Sequence, residues 1–422
     1  MDALKGRRVL VLVQGELAQS PRMLNHAREL VAAGADVQLV GFAGVALPPD
    51  LARSPAISVH AIARLGSART QSLPRALFIP AAGLRSLWLA IRMAWLLLCA
   101  LPRAHMILVQ NPPALPAALL ARITARLRGA ALIVDWHNLS SAMLAMRLGE
   151  THRLVRAIAR LERRLAGQAQ ANLCVSEAMR RHVEPSARGG ACVVLHDRPV
   201  RQAVPITDAE RAAILRGVEE ALGARVGAGE QPAPVVLVSA TSWSQDEDMI
   251  MLLSALAALK RSDADRQGAR PLVLIATGLG PGRAAFEARA REIEGPGLRI
   301  VTGWLGDDLY RDLLRAADLG ISMHRSASGL DLPMKIVDMI ETRLPVLAYD
   351  YAPCLGELLP RGRAAGLFTT PAELAERIET LLLDELGGLA RARAGMADLA
   401  TPSWAEEWRR VALPVLIGMN FP

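Results

Sequence analysis

The chain has 422 residues, which is enough to bury two ordinary domains. Its net charge of +8 comes mainly from arginines spread along the chain, and this balance favours phosphorylated substrates, an anionic membrane or nucleic acid as partners. We expect no nucleic-acid partner, because the sequence lacks zinc-ligand spacing, a recognition-helix signature and interleaved aromatic and basic residues. The four cysteines have no paired spacing and are expected to be small buried side chains of a reducing compartment.

The N-terminal part of the sequence predicts a βαβ unit. Residues 8–13 form an apolar run that is typical of a buried parallel strand. Ser20 is expected to cap the helix that follows, Gly34 to end it, and residues 37–42 to form the second strand. The loop after the first strand contains Gly15 but not the GxGxxG pattern, so the dinucleotide-binding fingerprint is absent.

The most hydrophobic stretch, residues 84–101, predicts a helix that touches a membrane. It is slightly short for a spanning helix, which needs about twenty apolar residues. Trp88 and Trp95 are seven residues apart, as are Arg85 and Arg92, so each pair lies near one helical face. This arrangement suits a helix in the membrane interface, with Trp at headgroup depth and Arg on phosphate. The alternative is a helix packed on the sheet whose arginines extend to solvent.

Two further predicted strands of this half end in polar residues. The strand at 105–109 leads into QNPPALP (110–116), and the strand at 131–135 leads into DWHN (135–138). Open α/β sheets hold ligands at the carboxyl ends of their strands. A single histidine is commonly structural, so both a structural role and a ligand contact stay open for His137.

The Gly- and Pro-rich stretch 227–234 is the best domain boundary in the sequence. We therefore assign residues 1–200 to a first domain, 201–234 to a linker region and 235–400 to a second domain. Residues 401–422 predict a C-terminal helix whose placement the sequence does not define. Two successive α/β series of similar size predict two doubly wound, Rossmann-like domains facing a cleft.

The second series contains a strand, loop and helix junction that suits an anion. An apolar run ends at Met323, a loop of small residues follows, and Pro333 lies at the start of a helix. Backbone N–H groups and the helix dipole favour an anion at such a junction. Lys335 is one of three lysines in a chain that otherwise uses arginine, and a compact ammonium beside a phosphate explains this exception. The alternative is a turn before a core helix, with Lys335 in solvent.

Six motifs stand in one order along the chain: SPRM (20–23), QNPPALP (110–116), DWHN (135–138), SATSWSQDED (239–248), TGLGP (277–281) and SGLDLPMKIVDM (328–339). Through these motifs the sequence, over about residues 8–415, closely resembles the family of β-1,4-mannosyltransferases that add the first mannose to dolichol-diphosphate-chitobiose. SGLDLPMKIVDM is the most specific motif, whereas TGLGP is shared by many glycosyltransferases. The Ala- and Arg-rich composition indicates a bacterial homologue.

The resemblance implies a GT-B fold, in which a nucleotide sugar binds between two Rossmann-like domains. It implies GDP-mannose as donor, inversion at the anomeric carbon and a membrane-bound, lipid-diphosphate-linked glycan as acceptor. The expected location is the cytoplasmic face of a membrane, where the protein is peripheral and has the anionic membrane surface and other glycosyltransferases as partners. No cofactor is obligatory, and a divalent metal is compatible with the reaction but is not expected in the site.

The resemblance places the donor site in the second domain. Ser328, Gly329 and Leu330 are expected to offer backbone N–H groups to the diphosphate. The other donor contacts that the family implies are the cations Lys335 and Arg325, the acids Asp331 and Asp338 (the latter at the ribose), Trp304 and Leu305 at the base, and Thr241 and Ser242 where many relatives have a phosphate-binding arginine.

An inverting transferase also needs a base for the acceptor hydroxyl. Glu16, in the loop after the first strand, is the favoured base, and His137 is the alternative base or else a contact to the sugar or acceptor. The structural alternative for Glu16 is a solvated loop acid. The remaining expected acceptor contacts are Gly15, Arg22, Asp135 and Asn138.

Two other functions fit the same motifs. The first is a GT-B transferase that uses another nucleotide sugar, such as UDP-GlcNAc, in envelope glycan synthesis. Donor-dependent product formation separates it from mannosyl transfer. The second is a catalytically silent GT-B subunit that docks a partner transferase to the membrane, and binding of a sugar nucleotide without turnover would favour it.

Overall fold

A computed structural model describes the chain over residues 2–63, 86–201, 204–244, 246–263, 270–359, 366–383, 387–398 and 401–419. The chain divides into two compact units, the first formed by Met1–Asp197 with Trp404–Pro422 and the second by Arg198–Ser403. Each unit has a parallel sheet whose strands are connected through helices. The predicted pair of Rossmann-like domains is therefore confirmed.

The sheet of the first unit has the strand order β3-β2-β1-β4-β5-β6-β7. Its strands are β1 (Arg8–Glu16), β2 (Asp36–Phe42), β3 (Ile57–Ala61), β4 (Met106–Asn111), β5 (Ala131–Trp136), β6 (Ala171–Cys174) and β7 (Ala191–Val194). The central strands are almost wholly buried, as expected for a parallel sheet covered on both faces. The strand order reverses between β1 and β4, which is where open α/β sheets bind ligands.

Helices join these strands and cover the sheet. Within the described residues of this part of the chain they are α1 (Pro21–Ala32), α2 (Pro49–Ala52), α3 (Leu119–Arg128), α4 (Ser140–Leu148), α5 (Arg153–Ala166) and α6 (Glu177–Val183). Residues 86–95 are also helical and continue as a π-helical turn over Leu96–Ala100.

Strand β1 is longer than the predicted strand. It continues to Glu16 through an irregularity in its pairing with β2 after Leu12. Leu17 then turns inward against Gly41, where an added Cβ would lie 2.8 Å from the Leu17 side chain. Ser20 stands at the N-cap of α1, but its hydroxyl donates to the Glu16 carbonyl at 3.0 Å instead of accepting a helix N–H. The segment predicted as an open loop is thus a bulge and a tight turn.

The sheet of the second unit has the strand order β10-β9-β8-β11-β12-β13 and reverses between β8 and β11. Its strands are β8 (Val235–Ala240), β9 (Leu272–Thr277), β10 (Leu298–Gly303), β11 (Leu319–Ser322), β12 (Val346–Tyr349) and β13 (Gly366–Phe368). The helices described in this unit are α7 (Asp208–Leu222), α8 (Met249–Asp263), α9 (Arg283–Ile293), α10 (Asp307–Ala316), α11 (Met334–Glu341), α12 (Pro371–Leu383) and α13 (Gly388–Ala397).

The unit boundaries differ from the predicted linker at 201–234. Helix α7 belongs to the second unit, where Leu215 and Val218 are buried and Arg211 donates to the Asp318 carboxylate at 2.9 Å. The linker prediction rested on the Gly and Pro content of residues 227–234. That content does not show that the preceding helix, α7, packs on the second unit.

The C-terminal helix α14 (Trp404–Ile417) packs on the first unit. Trp408 is 1 % exposed, and its indole N–H donates to Nδ1 of His26 at 3.0 Å. Trp404 is also buried, and the guanidinium of Arg22 lies 5.2 Å from its ring centroid. The last helix therefore completes the core of the first unit.

The apolar segment is packed on one side and exposed on the other. Met93 and Leu97 are fully buried, whereas Ile91 is 59 % and Trp95 51 % exposed. Within the residues that the structure covers, none of the helices combines the length and the apolar character needed to cross a bilayer.

Arg92 lies between the two tryptophans of this segment. Its guanidinium carbon is 6.0 Å from the centroid of Trp88 and 5.1 Å from that of Trp95. Trp88 is half-buried. Leu84 and Arg85 of the predicted helix lie outside the described residues.

The prediction of four buried cysteines is only partly correct. Cys174 and Cys354 are buried, but Cys192 is half-buried and Cys99 is exposed at the end of the apolar segment. Hydrophobic character alone did not distinguish the two faces of that segment.

Candidate active site

Asp135, near the end of β5, is the centre of a buried ionic network. Arg22 of α1 donates from Nε to Oδ2 at 2.9 Å and from Nη2 to Oδ1 at 2.8 Å. The same guanidinium donates to Asp197 at 2.8 Å, and Nε2 of His26 lies 3.3 Å from Asp135. The side chains of Arg22 and Asp135 are 3 % and 0 % exposed. The network therefore ties α1 to the carboxyl end of the sheet.

The pKa shifts show which members of this network are charged. Burial disfavours the charge on Arg22, but Asp135 and Asp197 raise its pKa above the ordinary value. Burial likewise opposes ionisation of Asp135, yet Arg22, His137 and His26 hold the pKa of Asp135 well below its usual range. Burial lowers the pKa of His26. At neutral pH the network is thus an ion pair with a neutral His26 beside it.

His137 connects the network to the surface. Its Nε2 lies 2.6 Å from Oδ2 of Asp135, and its backbone N–H donates to the carbonyl of Asn111 at 2.8 Å. The side chain is 23 % exposed. A buried carboxylate that fixes one ring nitrogen orients the imidazole so that its other nitrogen can take or donate a proton.

Glu16 is turned in a different direction. It is 7 % exposed, and its Oε1 accepts the backbone N–H of Val45 at 3.0 Å. A Cβ added to Gly44 would lie 3.1 Å from Oε2 of Glu16. Because Gly44 and Val45 follow β2, the carboxylate faces the β2 side of β1, whereas His137 follows β5 on the other side. The structure therefore does not bring the two candidate bases together.

The prediction that Arg22 and Asp135 contact the acceptor stays a prediction. Both side chains are buried and hydrogen-bond each other, which places them behind His137 rather than at the surface. Asn138 is half-buried, and its Oδ1 accepts the N–H of Leu139 at 2.7 Å just before α4. Gly15 is half-buried on β1. Among the predicted catalytic and acceptor-binding residues, those that reach the surface are His137, Asn138 and Gly15.

Glu247, in the loop after β8, is the centre of a second network at the other switch point. It accepts hydrogen bonds from Thr241 Oγ1 at 2.7 Å and from the N–H of Ser242 at 2.6 Å, and it forms an ion pair with Lys335 in the first turn of α11. Burial opposes ionisation of Glu247, but Lys335, Thr241 and Ser242 hold its pKa below the usual value. Three predicted donor residues thus meet at one buried carboxylate.

Two glycines of the TGLGP motif let the loop after β9 approach this network. A Cβ on Gly278 would overlap the carbonyl oxygen of Thr241, and one on Gly280 would overlap that of Ser242. The indole N–H of Trp243 donates to the carbonyl of Gly278 at 3.0 Å. Only glycine permits such close backbone approach, which explains the motif in physical terms.

Ser326 organises the loop before α11. Its hydroxyl accepts the N–H groups of Ser328 at 3.2 Å and Gly329 at 2.8 Å and hydrogen-bonds the carboxylate of Asp331. The hydroxyl of Ser328 accepts the N–H of Leu330 at 3.2 Å. The three N–H groups predicted for the diphosphate are therefore used within the loop, because serine hydroxyls compete for nearby backbone donors.

The other predicted donor residues lie around these loops. Arg325 has its Nη2 3.3 Å from Asp248, and its guanidinium lies 4.4 Å from the ring centroid of Tyr349. Trp304 is 57 % exposed after β10, whereas Leu305 is buried. Trp304 is therefore the more accessible of the two residues predicted at the base.

Asp338 is an acid in an unfavourable environment. It lies on α11 against Tyr310 of α10, with Arg311, Glu341 and Asp307 nearby. Burial raises the pKa of Asp338 to about 7, the charges of Glu341 and Asp307 add to this shift, and Arg311 opposes it. A carboxyl with a perturbed pKa on α11, the helix that carries Lys335, is a candidate ligand contact.

The sequence did not single out several residues of these networks, among them Glu247, Ser326 and Asp197. Glu247 stands within the acidic run 246–248, and Lys335 is a rare lysine at a predicted helix start. The Lys335–Glu247 ion pair could therefore have been predicted from the sequence. Ser326 and Asp197 had no such signal, because a loop hydroxyl and an acid 175 residues from Arg22 become partners only in the fold.

Residues 18–197 match the family model described as a Glycosyl transferase 4-like domain. A chitobiosyldiphosphodolichol beta-mannosyltransferase of Yarrowia lipolytica is 34 % identical over 423 residues, which cover 98 % of this chain and 87 % of that protein. UDP-glycosyltransferase TURAN of Arabidopsis thaliana is 30 % identical over 98 % of this chain and 97 % of its own length. The crystal structure of Anabaena HepE with UDP and glucose superposes with a TM-score of 0.66 at 14 % identity, covering 98 % of this chain and 100 % of HepE, which shows the fold alone.

Proposed function

This chain belongs to the chitobiosyldiphosphodolichol beta-mannosyltransferase family and is a GT-B glycosyltransferase, and we propose that it transfers mannose from GDP-mannose to a lipid-diphosphate-linked sugar. The name of the Yarrowia relative supports a mannosyl donor and a lipid-diphosphate acceptor. The transfer proceeds with inversion at the anomeric carbon in this proposal.

The observation that carries the proposal is the pair of Lys335 and Glu247 at the amino end of α11. The ammonium lies at the positive end of a helix dipole and at the switch point of the second sheet, where a diphosphate is favoured. Arg325 supplies a further cation, and Ser328 and Gly329 approach the phosphates once their loop opens. Asp338 accepts from the ribose hydroxyls, and Trp304 contacts the base.

On the acceptor side we propose His137 as the base. Asp135 holds Nε2 of His137 at 2.6 Å, so Nδ1 takes the proton of the acceptor hydroxyl while that oxygen attacks the anomeric carbon and GDP departs. The carboxylate of Asp135 stabilises the imidazolium that forms. Glu16, the favoured base from sequence, is more buried and already accepts a backbone N–H, so it is the second choice.

The proposal includes a peripheral position at the cytoplasmic face of a membrane, because the acceptor is a lipid. The exposed side of the apolar segment, with Ile91 and Trp95, supports contact with that surface. Partner glycosyltransferases of the same lipid-linked glycan are part of the proposal. No cofactor is obligatory in this scheme, since Lys335 and the amino end of α11 neutralise the leaving diphosphate.

A second candidate is a transferase that uses a UDP-sugar. The full-length similarity to UDP-glycosyltransferase TURAN favours it, although that relative is less similar than the Yarrowia protein.

Product formation with radiolabelled donors separates the candidates. The purified protein is incubated with lipid-diphosphate-chitobiose and either GDP-mannose or UDP-GlcNAc, and the labelled lipid is extracted. We expect a labelled lipid product in the incubation with GDP-mannose and none in the incubation with UDP-GlcNAc. A product with UDP-GlcNAc alone would establish the second candidate, and binding of either donor without any product would indicate a silent docking subunit.

A further inference from the structure

A cavity lined by five arginines lies on the first unit, away from the residues of the candidate active site. We call it the arginine pocket; its volume is about 490 Å³, and it is lined by Arg122, Arg160, Arg163, Arg164, Arg188, Gly167, Gln168, Pro185 and Ser186. We infer that the arginine pocket binds phosphate groups of anionic lipid headgroups.

The position of the pocket distinguishes it from the donor and acceptor sites. Gly167 and Gln168 precede β6, and Arg188 precedes β7, so the pocket lies at the amino-terminal edge of the first sheet. His137 follows β5 at the carboxyl-terminal edge. Ligands of the reaction are expected at the carboxyl edge, so the pocket serves another ligand.

The charges in the pocket are uncompensated within the described residues. No Asp or Glu is among the residues that line it. Arg122 hydrogen-bonds the amide of Gln168, which is neutral. Arg160 and Arg164 are four residues apart on α5, so their side chains lie next to each other on one face. Clustered guanidinium groups repel one another until an anion joins them, and their planar donors match phosphate oxygens.

The surroundings favour a lipid over free phosphate. Helix α3, which contributes Arg122, also exposes Ile123 at 37 % and Leu127 at 67 % on the adjacent stripe. At the end of the same helix, Arg128 donates to the carbonyls of Leu97 and Leu101 at 2.6 and 2.8 Å. These bonds join α3 to the apolar segment. Basic and exposed apolar side chains on neighbouring elements are the combination that binds an anionic membrane surface.

Co-sedimentation with phosphatidylcholine vesicles, prepared with and without phosphatidylglycerol, tests the inference. Arg160→Gln combined with Arg164→Gln should weaken binding to the anionic vesicles roughly 10- to 30-fold, since each arginine near such a surface contributes about a tenfold factor or less. The control, Arg153→Gln with Arg156→Gln, makes the same charge change on the same helix outside the pocket and should lose several-fold less. Equal losses of vesicle binding in both variants would refute headgroup binding by the arginine pocket, and would show that vesicle binding depends only on the general positive charge of the surface.

Calorimetry with inorganic pyrophosphate, and a binding assay with single-stranded RNA, identify the source of the phosphate. If the pocket variant loses pyrophosphate binding but sediments with anionic vesicles like the wild type, the lipid assignment is wrong. Selective loss of RNA binding would overturn it as well. The inference rests on the proposed function only for the membrane location. None of these measurements requires sugar transfer, so the lipid-binding inference and the proposed function can fail independently. Thermal melting of all variants confirms that they are folded.

Discussion

His137 and Glu16 are the two candidate bases of the first unit, one an oriented imidazole and the other a buried carboxylate. His137→Ala should lower kcat by at least about a hundredfold, because a general base contributes 10²–10⁴-fold. Glu16→Gln keeps an acceptor for the N–H of Val45 and should retain turnover within about tenfold. Steady-state kinetics with GDP-mannose and the lipid acceptor, together with GDP binding by calorimetry, measures both effects.

The opposite result would reverse the two roles. If Glu16→Gln abolishes turnover with intact GDP binding while His137→Ala remains active, the base is Glu16, as the sequence favoured. In that case the loop around Gly44 and Val45 must move to release the carboxylate. Asp135→Asn is a further control, since it should reduce turnover through His137 and also destabilise the Arg22 network.

Lys335 and Glu247 are expected to respond differently to mutation although they form one ion pair. Lys335→Met should weaken GDP binding about 10–100-fold, the usual contribution of a charge-assisted contact to phosphate. Glu247→Gln preserves an acceptor for Thr241 and Ser242 and leaves the ammonium in place, so its GDP affinity should stay close to wild type. Calorimetry with GDP compares them. Equal loss of affinity in both variants would mean that the pair is structural and that Lys335 does not contact the diphosphate.

Asp338 should make stability depend on pH. The unfolded carboxyl ionises from about pH 3.8, but the folded one only near its raised pKa of about 7. The folded state therefore binds more protons between these values, and stability falls as the pH rises from about 4 to 7 and stays lower above that. Asp338→Asn removes this loss and should stabilise the protein by roughly 1–3 kcal/mol at about pH 8 and by much less at about pH 4.

Urea unfolding at both pH values checks this effect of Asp338→Asn. Asp308→Asn, an exposed substitution on α10, is the matched control for the loss of one carboxylate and should not reproduce the gain in stability at about pH 8. If the Asp338 and Asp308 variants show the same pH profile, the carboxyl of Asp338 is ionised in the folded protein at neutral pH.

At the scale of elements, the apolar segment shows what a sequence pattern does and does not determine. Its hydrophobicity and the Trp spacing predicted a helix correctly. The pattern did not show that Met93 and Leu97 would be buried, that Trp88 would be half-buried or that Arg92 would stack on the rings. Burial depends on which neighbouring helix covers which face, and that information is not local.

Substitution of the exposed residues of this segment tests membrane contact better than substitution of Trp88 and Trp95, because Trp88 is half-buried. Ile91→Ser with Trp95→Ser should reduce binding to anionic vesicles about tenfold or more, because both side chains lose apolar area that would enter the interface. Ile250→Ser with Leu383→Ser, two exposed positions of the second unit, is the control and should change nothing. Unchanged co-sedimentation of the Ile91 and Trp95 variant would exclude this surface as the membrane contact.

The loops illustrate the same limit for the site. Gly278 and Gly280 belong to a motif that is visible in the sequence. The reason why these positions require glycine, the close approach to Thr241 and Ser242, is visible only in the fold. The networks around Asp135 and Glu247 join residues that are far apart in the chain. The rarity of lysine and the predicted helix start identified Lys335 as a candidate, but the sequence could not show which backbone N–H groups already donate to another side chain.

At the scale of the whole molecule, the two successive α/β series were predictable because most βα pairs have a local signal, but the short edge strands β3 and β13 were not predicted. The assignment of the C-terminal helix to a unit was not predictable, because α14 belongs to the first unit although it follows the entire second unit in the chain. Its anchoring contacts with α1, through Trp408 and His26, span 382 residues. No periodicity reports such a contact.

The return of α14 leads to a prediction about how stability is distributed. Trp408→Ala should cost about 3–5 kcal/mol, because it opens a cavity in the first core and leaves His26 without its indole donor. The loss should appear as faster amide exchange in β1, β2 and β4, while β8, β9 and β11 of the second unit keep their protection. Trp304→Ala is the matched control: it removes a tryptophan that is 57 % exposed in the second unit and should leave exchange in both sheets unchanged. Hydrogen-exchange mass spectrometry measures both variants. If Trp408→Ala exposes β8 and β9 as much as β1, the two units unfold as one cooperative body, and α14 stabilises the entire molecule rather than the first unit.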